Sequence, residues 1–171
     1  MRSIAFVVFL SACMSHGIGT DPGDHVYDGA VVSIVLDDQG GGFAPPPPSG
    51  PCDPQVARYT VTNATHDLAW SACDVVGTSP NQTTAPRTGH RVLEASEWAS
   101  LTDALSAIVV VANDGRCGAD KPTFALIVNT SNDTIEYADN FYACQNQNKP
   151  LVDGDALSHA MQVAGGLAMS K

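Results

Sequence analysis

Apolar and polar side chains alternate in two neighbouring stretches near the middle of the chain. In residues 56–63 and 67–76, apolar side chains such as Tyr59 and Trp70 alternate with polar ones. A period of two places the apolar side chains on one face of a strand. The Asn-Ala-Thr-His sequence between the stretches is typical of a turn, so we predict an antiparallel pair with one covered face and one wet face.

A second hairpin is predicted within residues 117–144. Phe124 and Leu126 share one face of its first strand, and Ile135 and Tyr137 share one face of its second strand. The Ser-Asn-Asp sequence between the strands supplies the turn. Folding the chain about this turn brings the two cysteines at the ends of the segment close together.

Other segments lack such clear alternation. Residues 30–37 are rich in β-branched side chains and predict one more strand, and residues 89–93 predict a short one. The four prolines at 45–48 predict a stiff surface loop, since proline lacks a backbone donor. Residues 77–88 are polar, contain two prolines and are predicted to form an exposed loop, and residues 109–111 are expected to be extended.

Two segments have the three- and four-residue apolar spacing of amphipathic helices. The first contains Trp98, Leu101, Ala104, Leu105 and Ile108, and the second contains Leu157, Ala160, Met161, Ala164 and Ala168. Glu94 and Glu97 place negative charge at the start of the first helix, where the helix dipole favours it. Asp153 or Asp155 is predicted as the N-cap of the second helix, which the glycines at 165–166 weaken near its end.

Strands interspersed with two helices predict an α+β fold. We expect an antiparallel sheet of about five or six strands, including the two hairpins, with both helices packed on one face. The domain is expected to cover residues 30–171. The aromatic and aliphatic side chains predicted to lie between the layers are Tyr59, Trp70, Trp98, Phe124, Leu126 and Tyr137.

The strongly negative net charge of the chain argues against negatively charged binding partners. The 171 residues include 18 acidic and 8 basic side chains, which give a formal net charge of −10 at pH 7. Nucleic acids and anionic lipids repel such a chain, so neither is expected as a partner. The length suits one domain with a tail.

Four cysteines, at positions 52, 73, 117 and 144, form an even set after the one at position 13 is set aside. In an oxidising compartment this predicts two disulfides, with three possible connectivities. The spacing matches neither a zinc site nor a Cys-x-x-Cys redox motif. Pairing in sequence order, 52 with 73 and 117 with 144, is preferred because each bond closes a hairpin-like segment and stabilises it by about 3 kcal/mol. Free buried cysteines are the alternative.

The N-terminal residues have the pattern of a targeting signal. Arg2 precedes an apolar run from Ile4 to Leu10, which is too short to span a bilayer and has the layout of a secretory signal. With Leu-Ser-Ala directly before Cys13, the segment resembles the lipobox of bacterial lipoproteins. That resemblance implies removal of residues 1–12 and a lipid on Cys13. An ordinary signal peptide that happens to contain a cysteine is the alternative.

Residues 13–29 are interpreted as a lipidated flexible tether, because they lack an apolar period and are rich in Gly and Asp. Such a segment spans roughly 20–24 Å on average. Asp21, Asp24, His25 and Asp28 do not match a calcium loop, so a solvated acidic linker is favoured over a metal site. Met14 follows Cys13 in place of aspartate, which by the sorting rule of two-membrane bacteria implies the outer membrane.

Motifs for catalysis are lacking in the sequence. It contains no nucleophile elbow, no His-Glu-x-x-His and no phosphate or dinucleotide loop, so no enzyme activity, metal or cofactor is expected. His66, in a turn, and His90, before a strand, are the histidines considered for a catalytic or ligand role beside a carboxylate. Glu94 and Glu97 are interpreted as helix-capping residues.

Three hypotheses for function follow. The favoured one is a non-catalytic lipoprotein of the cell envelope, anchored through Cys13, that binds an envelope or extracellular protein. The second is an inhibitor of an extracellular enzyme that uses loop 40–54 or 77–88 as a rigid plug. The third is a hydrolase whose site is assembled from distant residues.

Overall fold

The computed structural model describes residues 18–28, 30–42, 48–118 and 120–170. Within these ranges the chain forms eight strands, two α-helices and one 3-10 helix. The strands are β1 (Ser33–Gly41), β2 (Val56–Thr62), β3 (Asp67–Val76), β4 (Thr83–Val92), β5 (Val110–Val111), β6 (Pro122–Asn129), β7 (Thr134–Asp139) and β8 (Leu151–Val152). The helices are α1 (Ala95–Ser106), α2 (Gly154–Met169) and the 3-10 helix Asn140–Gln145.

All eight strands belong to one sheet with the order β4-β3-β2-β1-β6-β7-β8-β5. The α+β class is therefore confirmed, but the expectation of five or six antiparallel strands is wrong. The sheet is mixed, because β7 and β8 pair in parallel. Strands β5 and β8 have two residues each, which is too short for any alternation to be read from the sequence.

Strand β1 joins the two hairpins into one sheet. The β2–β3 hairpin turns at residues 63–66, and Tyr59 lies opposite Trp70 across it. The β6–β7 hairpin turns at residues 130–133, and Leu126 lies opposite Tyr137. Both predicted hairpins are thus present, and β1 pairs antiparallel with β2 on one side and with β6 on the other.

The predicted exposed loop 77–88 is wrong over its second half. Strand β4 begins at Thr83 and pairs with β3 along its whole length. The prolines and polar residues suggested a loop, but β4 is the edge strand, where proline is tolerated because one row of backbone groups has no neighbour. Thr84 is buried, since residues 49–52 lie along the start of β4. The Cys52 N–H donates to the Thr84 hydroxyl, and that hydroxyl donates to the Cys52 carbonyl.

The two predicted amphipathic helices are present, but α1 ends at Ser106, so Ile108 lies beyond the helix. Glu97 accepts a hydrogen bond from the Glu94 N–H at the start of α1. Asp153 is the N-cap of α2 and accepts from the N–H groups of Asp155 and Ala156 at 2.9 and 3.0 Å. Helix α2 continues through the glycines at 165–166 to its end at Met169.

The larger hydrophobic core of the described residues lies between the helices and one face of the sheet. Alternate residues of β1, β2, β3, β6 and β7 point into it together with the apolar stripes of α1 and α2. Tyr59, Phe124, Leu126 and Tyr137 are buried there, as predicted, while the two tryptophans are partly buried and pack against it. The expectation that both helices pack on one face therefore agrees with the structure.

Residues 18–28 differ from the predicted tether. Val26 is fully buried, and His25 forms a β-bridge with Val109. The Gly23 N–H donates to the Val110 carbonyl and the Val110 N–H donates to the Asp24 carbonyl, each at 2.8 Å. The segment is therefore part of the domain, attached beside β5, and the prediction of a flexible linker fails there because a single buried valine shows no periodicity. The rest of the predicted tether, 13–17 and residue 29, lies outside the described residues.

Candidate functional site

The candidate site is a groove of about 450 Å³ between α2 and the helix-facing side of the sheet. Its sheet wall consists of Asp38, Ala57, Tyr59 and Phe124. Its helix wall consists of Ser158, Met161, Gln162, Gly165, Gly166 and Met169. We call it the α2 groove. Its volume lies within the range of about 300–1,000 Å³ that is usual for small-molecule sites.

Asp38 places a carboxylate at this apolar groove. It lies near the end of β1, opposite Ala57 on β2 and Phe124 on β6, where the strand's alternation turns it toward α2. Its Oδ1 accepts a hydrogen bond from the Gly40 N–H at 3.0 Å. Burial raises the pKa of Asp38, and the negative charges of Asp37 and Asp53 raise it further, while the Gly40 hydrogen bond lowers it.

Tyr59 lines the groove beside α2 and is 8% exposed. A Cβ atom added at Gly165 would lie 3.0 Å from the Tyr59 hydroxyl oxygen, so the glycine allows the phenol and the helix to approach each other closely. Burial raises the pKa of Tyr59, and the positive charge of Arg87 opposes that shift. The phenol is thus neutral at physiological pH and offers an aromatic face and a hydroxyl group.

Gly166 keeps the groove open on the helix side. A Cβ atom added at this position would have no other atom within 4 Å, so it would stand in open space. Met161 is buried beside it, while Met169 is 67% exposed. Methionine side chains are flexible and polarisable, and such a wall can adjust to ligands of different shape.

The residues that line this groove have sequence patterns that indicate a core, a helix end or a turn, and not a binding site. The apolar spacing predicts Tyr59 and Phe124 as core residues, and the two glycines predict only a weak point of a helix. Aspartate just after a predicted strand is a common turn residue, so nothing local to Asp38 indicates a site. Only the pairing of β1 with both β2 and β6 brings these residues together.

The four predicted disulfide cysteines are paired in sequence order. Cys52 is bonded to Cys73 with a Cα–Cα distance of 5.9 Å, and Cys117 is bonded to Cys144 with a Cα–Cα distance of 5.4 Å. Both distances are within the usual range for disulfides. The first bond fastens the loop before β2 to β3, and the second fastens the segment before β6 to the 3-10 helix. The predicted lipidation site, Cys13, lies outside the described residues.

A cavity adjoins each disulfide. One, of about 410 Å³, lies between the Cys52 loop and the sheet face that carries no helix. The other, of about 360 Å³, lies beside Cys117, where Lys121 lies 3.7 Å from Asp155 and 4.7 Å from the centre of the Phe141 ring. Because the lysine there already has an acidic and an aromatic partner, this cavity offers a ligand less unsatisfied charge than the α2 groove.

The two histidines considered for catalysis do not lie in the α2 groove or in the two cavities beside the disulfides. The His66 ring stacks on Trp98 with 4.3 Å between the ring centres. His90 Nδ1 lies 3.4 Å from an Asp67 carboxylate oxygen, but the His90 side chain is 78% exposed on the edge strand. Of these two histidines, His90 is the one beside an aspartate, and that His–Asp pair lies on an open surface.

The aspartates of the predicted tether accept hydrogen bonds from backbone N–H groups of neighbouring residues. Asp24 accepts a hydrogen bond from the Asp21 N–H, and Asp28 accepts one from the Ala30 N–H. His25 Nδ1 lies 2.9 Å from the Ser106 carbonyl oxygen. In the part of the chain that the structure describes, no cluster of three or more histidine, cysteine, aspartate or glutamate side chains has the arrangement of a metal site.

In the same ranges, no helix has both the length and the apolar character needed to cross a membrane. No protein-family model, no curated protein and no solved structure matches this chain.

Proposed function

We propose that this protein is a lipid-anchored component of the bacterial cell envelope that works by binding rather than by catalysis. The observation that carries the proposal is the Leu-Ser-Ala-Cys sequence at 10–13, which directly follows a short apolar run and precedes the described domain by only a few residues. A lipid on Cys13 would be the membrane contact. Met14 supports the outer membrane as the destination.

The position of Ile18 supports a close attachment. It is the first described residue, it packs against the core, and it is five positions after Cys13. Five residues span at most about 18 Å when fully extended. A lipid on Cys13 would therefore hold the domain near the headgroups, so its ligands would be those found at the membrane surface or in the envelope.

Two further observations support binding in an oxidising compartment. The two disulfides are the kind of covalent support that exported domains use. The α2 groove offers a mostly apolar surface with one carboxylate, which is the usual composition of a ligand site.

The alternatives have less support. A hydrolase would need acid and base groups in a cleft, whereas His90 and Asp67 lie on an exposed strand. An inhibitor would need a long projecting loop, whereas residues 83–88 form part of β4 and residues 49–52 lie along that strand. Of loop 77–88, only residues 77–82 remain as an exposed turn.

The test is intact-mass analysis of the full chain isolated from membranes of a bacterial host. We expect loss of residues 1–12 and a gain of mass equal to a diacylglyceryl group on the Cys13 sulfur, with or without an acyl chain on the Cys13 amino group. Cys13→Ser is expected to abolish both the added mass and the membrane association, while the nearby Ser15→Ala leaves both unchanged. Met14→Asp is expected to shift the protein to the inner membrane.

A protein that carries no acyl mass and has a free thiol at Cys13 would overturn the anchoring proposal. Retention of Cys13→Ser in the membrane fraction would do the same.

A further inference from the structure

We propose that the α2 groove binds a small organic cation, a primary ammonium group that pairs with Asp38 and an apolar body that packs on Met161 and Phe124. This inference names the ligand class of the binding function proposed above and rests on it. The argument combines the shape of the groove, the lack of an ion-pair partner for Asp38 among the described residues and the aromatic face of Tyr59.

The carboxylate of Asp38 has hydrogen-bond acceptor positions that no described contact uses. A carboxylate has about four acceptor positions, and the described contacts of Asp38 use one of them, for the Gly40 N–H. None of the six ion pairs in the described parts of the chain includes it. A partly buried carboxylate without a cation gains more from pairing than an exposed one, because water screens it less.

The charges around Asp38 favour a cation. Asp37 and Asp53 both act on it and are both negative. The whole chain carries a net charge of −10 at pH 7, so an anionic ligand would be repelled on approach. Arg87, the basic side chain that acts on Tyr59, is paired with Asp74 at 3.1 Å and donates to the Ala168 carbonyl.

The rest of the groove suits an alkyl or aryl body. Phe124 is nearly fully buried on the sheet side, and Met161 is nearly fully buried on the helix side. Tyr59 lies beside Asp38 in the same groove, and a cation held there is also attracted by an aromatic face. An ammonium compound with six or more carbons satisfies both the charged and the apolar parts of this surface.

The test is NMR of the full chain labelled with ¹³C at the methionine methyl groups, titrated with n-hexylamine. The signals of Met161 and Met169, assigned by substituting each with leucine, are expected to shift and to saturate. Hexan-1-ol has the same shape without the charge and is expected to bind at least tenfold more weakly. Hexanoate is expected to bind more weakly still.

Asp38→Asn and Asp37→Asn form a matched pair. They are neighbours on β1 and each removes one negative charge, but Asp37 points to the opposite face of the sheet and lines the cavity beside Cys52. Asp38→Asn is expected to weaken hexylamine binding at least tenfold. Asp37→Asn removes only a nearby charge outside the groove and is expected to weaken binding by a much smaller factor. Gly166→Leu is expected to weaken the binding of both hexylamine and hexan-1-ol, since its side chain occupies the open space at the groove.

Equal effects of the two asparagine variants would overturn the inference, because they would mean that only net charge matters. Hexanoate binding as tightly as hexylamine, or no saturable shift of either methionine, would also overturn it. If binding fails while native protein still carries acyl chains on Cys13, this inference falls and the anchoring proposal stands.

Discussion

At the scale of single residues, Asp139 shows how the fold uses a buried carboxylate. It is fully buried at the end of β7, and its two oxygens accept different backbone donors, Phe124 N–H at 2.6 Å and Phe141 N–H at 2.8 Å. Burial raises the pKa of Asp139, while the backbone donors lower it. The side chain thereby connects β6 to the start of the 3-10 helix.

Asp139→Asn is expected to lower the free energy of unfolding by about 1–3 kcal/mol, because the amide NH₂ replaces an acceptor and faces a backbone donor. Urea denaturation measures it. The matched control is Asp53→Asn, since exposed Asp53 accepts only from the Gln55 N–H in the described contacts and the amide oxygen can take over. An Asp139→Asn change as small as that of the control would contradict the role assigned to Asp139.

Replacing Asp38 with asparagine is expected to have the opposite effect on stability. The pKa of Asp38 in the folded protein is above the ordinary value of 3.8, so the folded state holds the proton more tightly than the unfolded state does. The associated stability is fully present below pH 3.8 and is lost as the pH rises through the folded pKa. Asp38→Asn removes this dependence, and its amide oxygen can still accept from the Gly40 N–H.

The prediction is that Asp38→Asn is more stable than the parent chain at pH 7 and equally stable at pH 3. Thermal unfolding at both pH values measures the difference. A variant that is less stable at pH 7 would mean that the carboxylate has a stabilising partner. This result also matters for the binding test, because a stable Asp38→Asn that does not bind hexylamine cannot be explained by unfolding.

At the scale of elements, Arg91 links strand β4 to both helices. Its guanidinium group donates to the carbonyl of Ser170 at 3.0 Å and to the hydroxyl of the same residue at 2.8 Å. It also forms an ion pair with Glu97, and this hydrogen bond lowers the pKa of Glu97. A basic group at the end of α2 interacts favourably with the helix dipole.

Arg91→Ala is expected to lower the free energy of unfolding by about 1–2 kcal/mol and to increase amide exchange in the last turn of α2. Hydrogen-exchange NMR resolves the local effect. Arg58→Ala is the control, because Arg58 is exposed on the other face of the sheet. If exchange in the last turn of α2 is unchanged in Arg91→Ala, the link between strand and helix has no energetic role.

Elements with a strong period were predictable and the others were not. The β2–β3 and β6–β7 hairpins and both helices have apolar spacing that identifies the buried face. Strand β4 lacks such a pattern, because its inward positions include Arg87, Gly89 and Arg91. Gly89 is needed opposite Trp70, since a Cβ atom there would come within 2.5 Å of the ring, and no local pattern reveals that contact.

At the scale of the whole molecule, the pairing of the cysteines could be predicted from their order in the sequence, whereas the α2 groove could not. Each disulfide closes a local segment, with separations of 21 and 27 residues, so its pairing follows from the nearest hairpin. The α2 groove requires β1, β2, β6 and α2 to meet. The position of β1 between two hairpins depends on long-range pairing, so the sequence near Asp38 does not indicate that it lies in a site.

The N-terminal segment 18–28 makes contacts that a flexible tether would lack, so replacing it tests whether it is a structural element of the domain. Tyr137 is fully buried and its hydroxyl donates to the Gly19 carbonyl at 2.8 Å, and burial together with Asp24 raises its pKa to about 12. Val26 fills the core from the same segment. Burial of one valine contributes about 1.5–2 kcal/mol, and each backbone hydrogen bond contributes about 1 kcal/mol.

Replacing residues 18–28 with a Gly-Ser sequence of equal length in the full chain is therefore expected to lower the free energy of unfolding by about 3–5 kcal/mol. Urea denaturation measures the change, and hydrogen exchange at Val110 reports the loss of its partner Asp24. A flexible tether would leave both unchanged, because such a segment makes no contacts to lose. Val32→Ala is the control, since Val32 is 48% exposed and its truncation leaves no cavity.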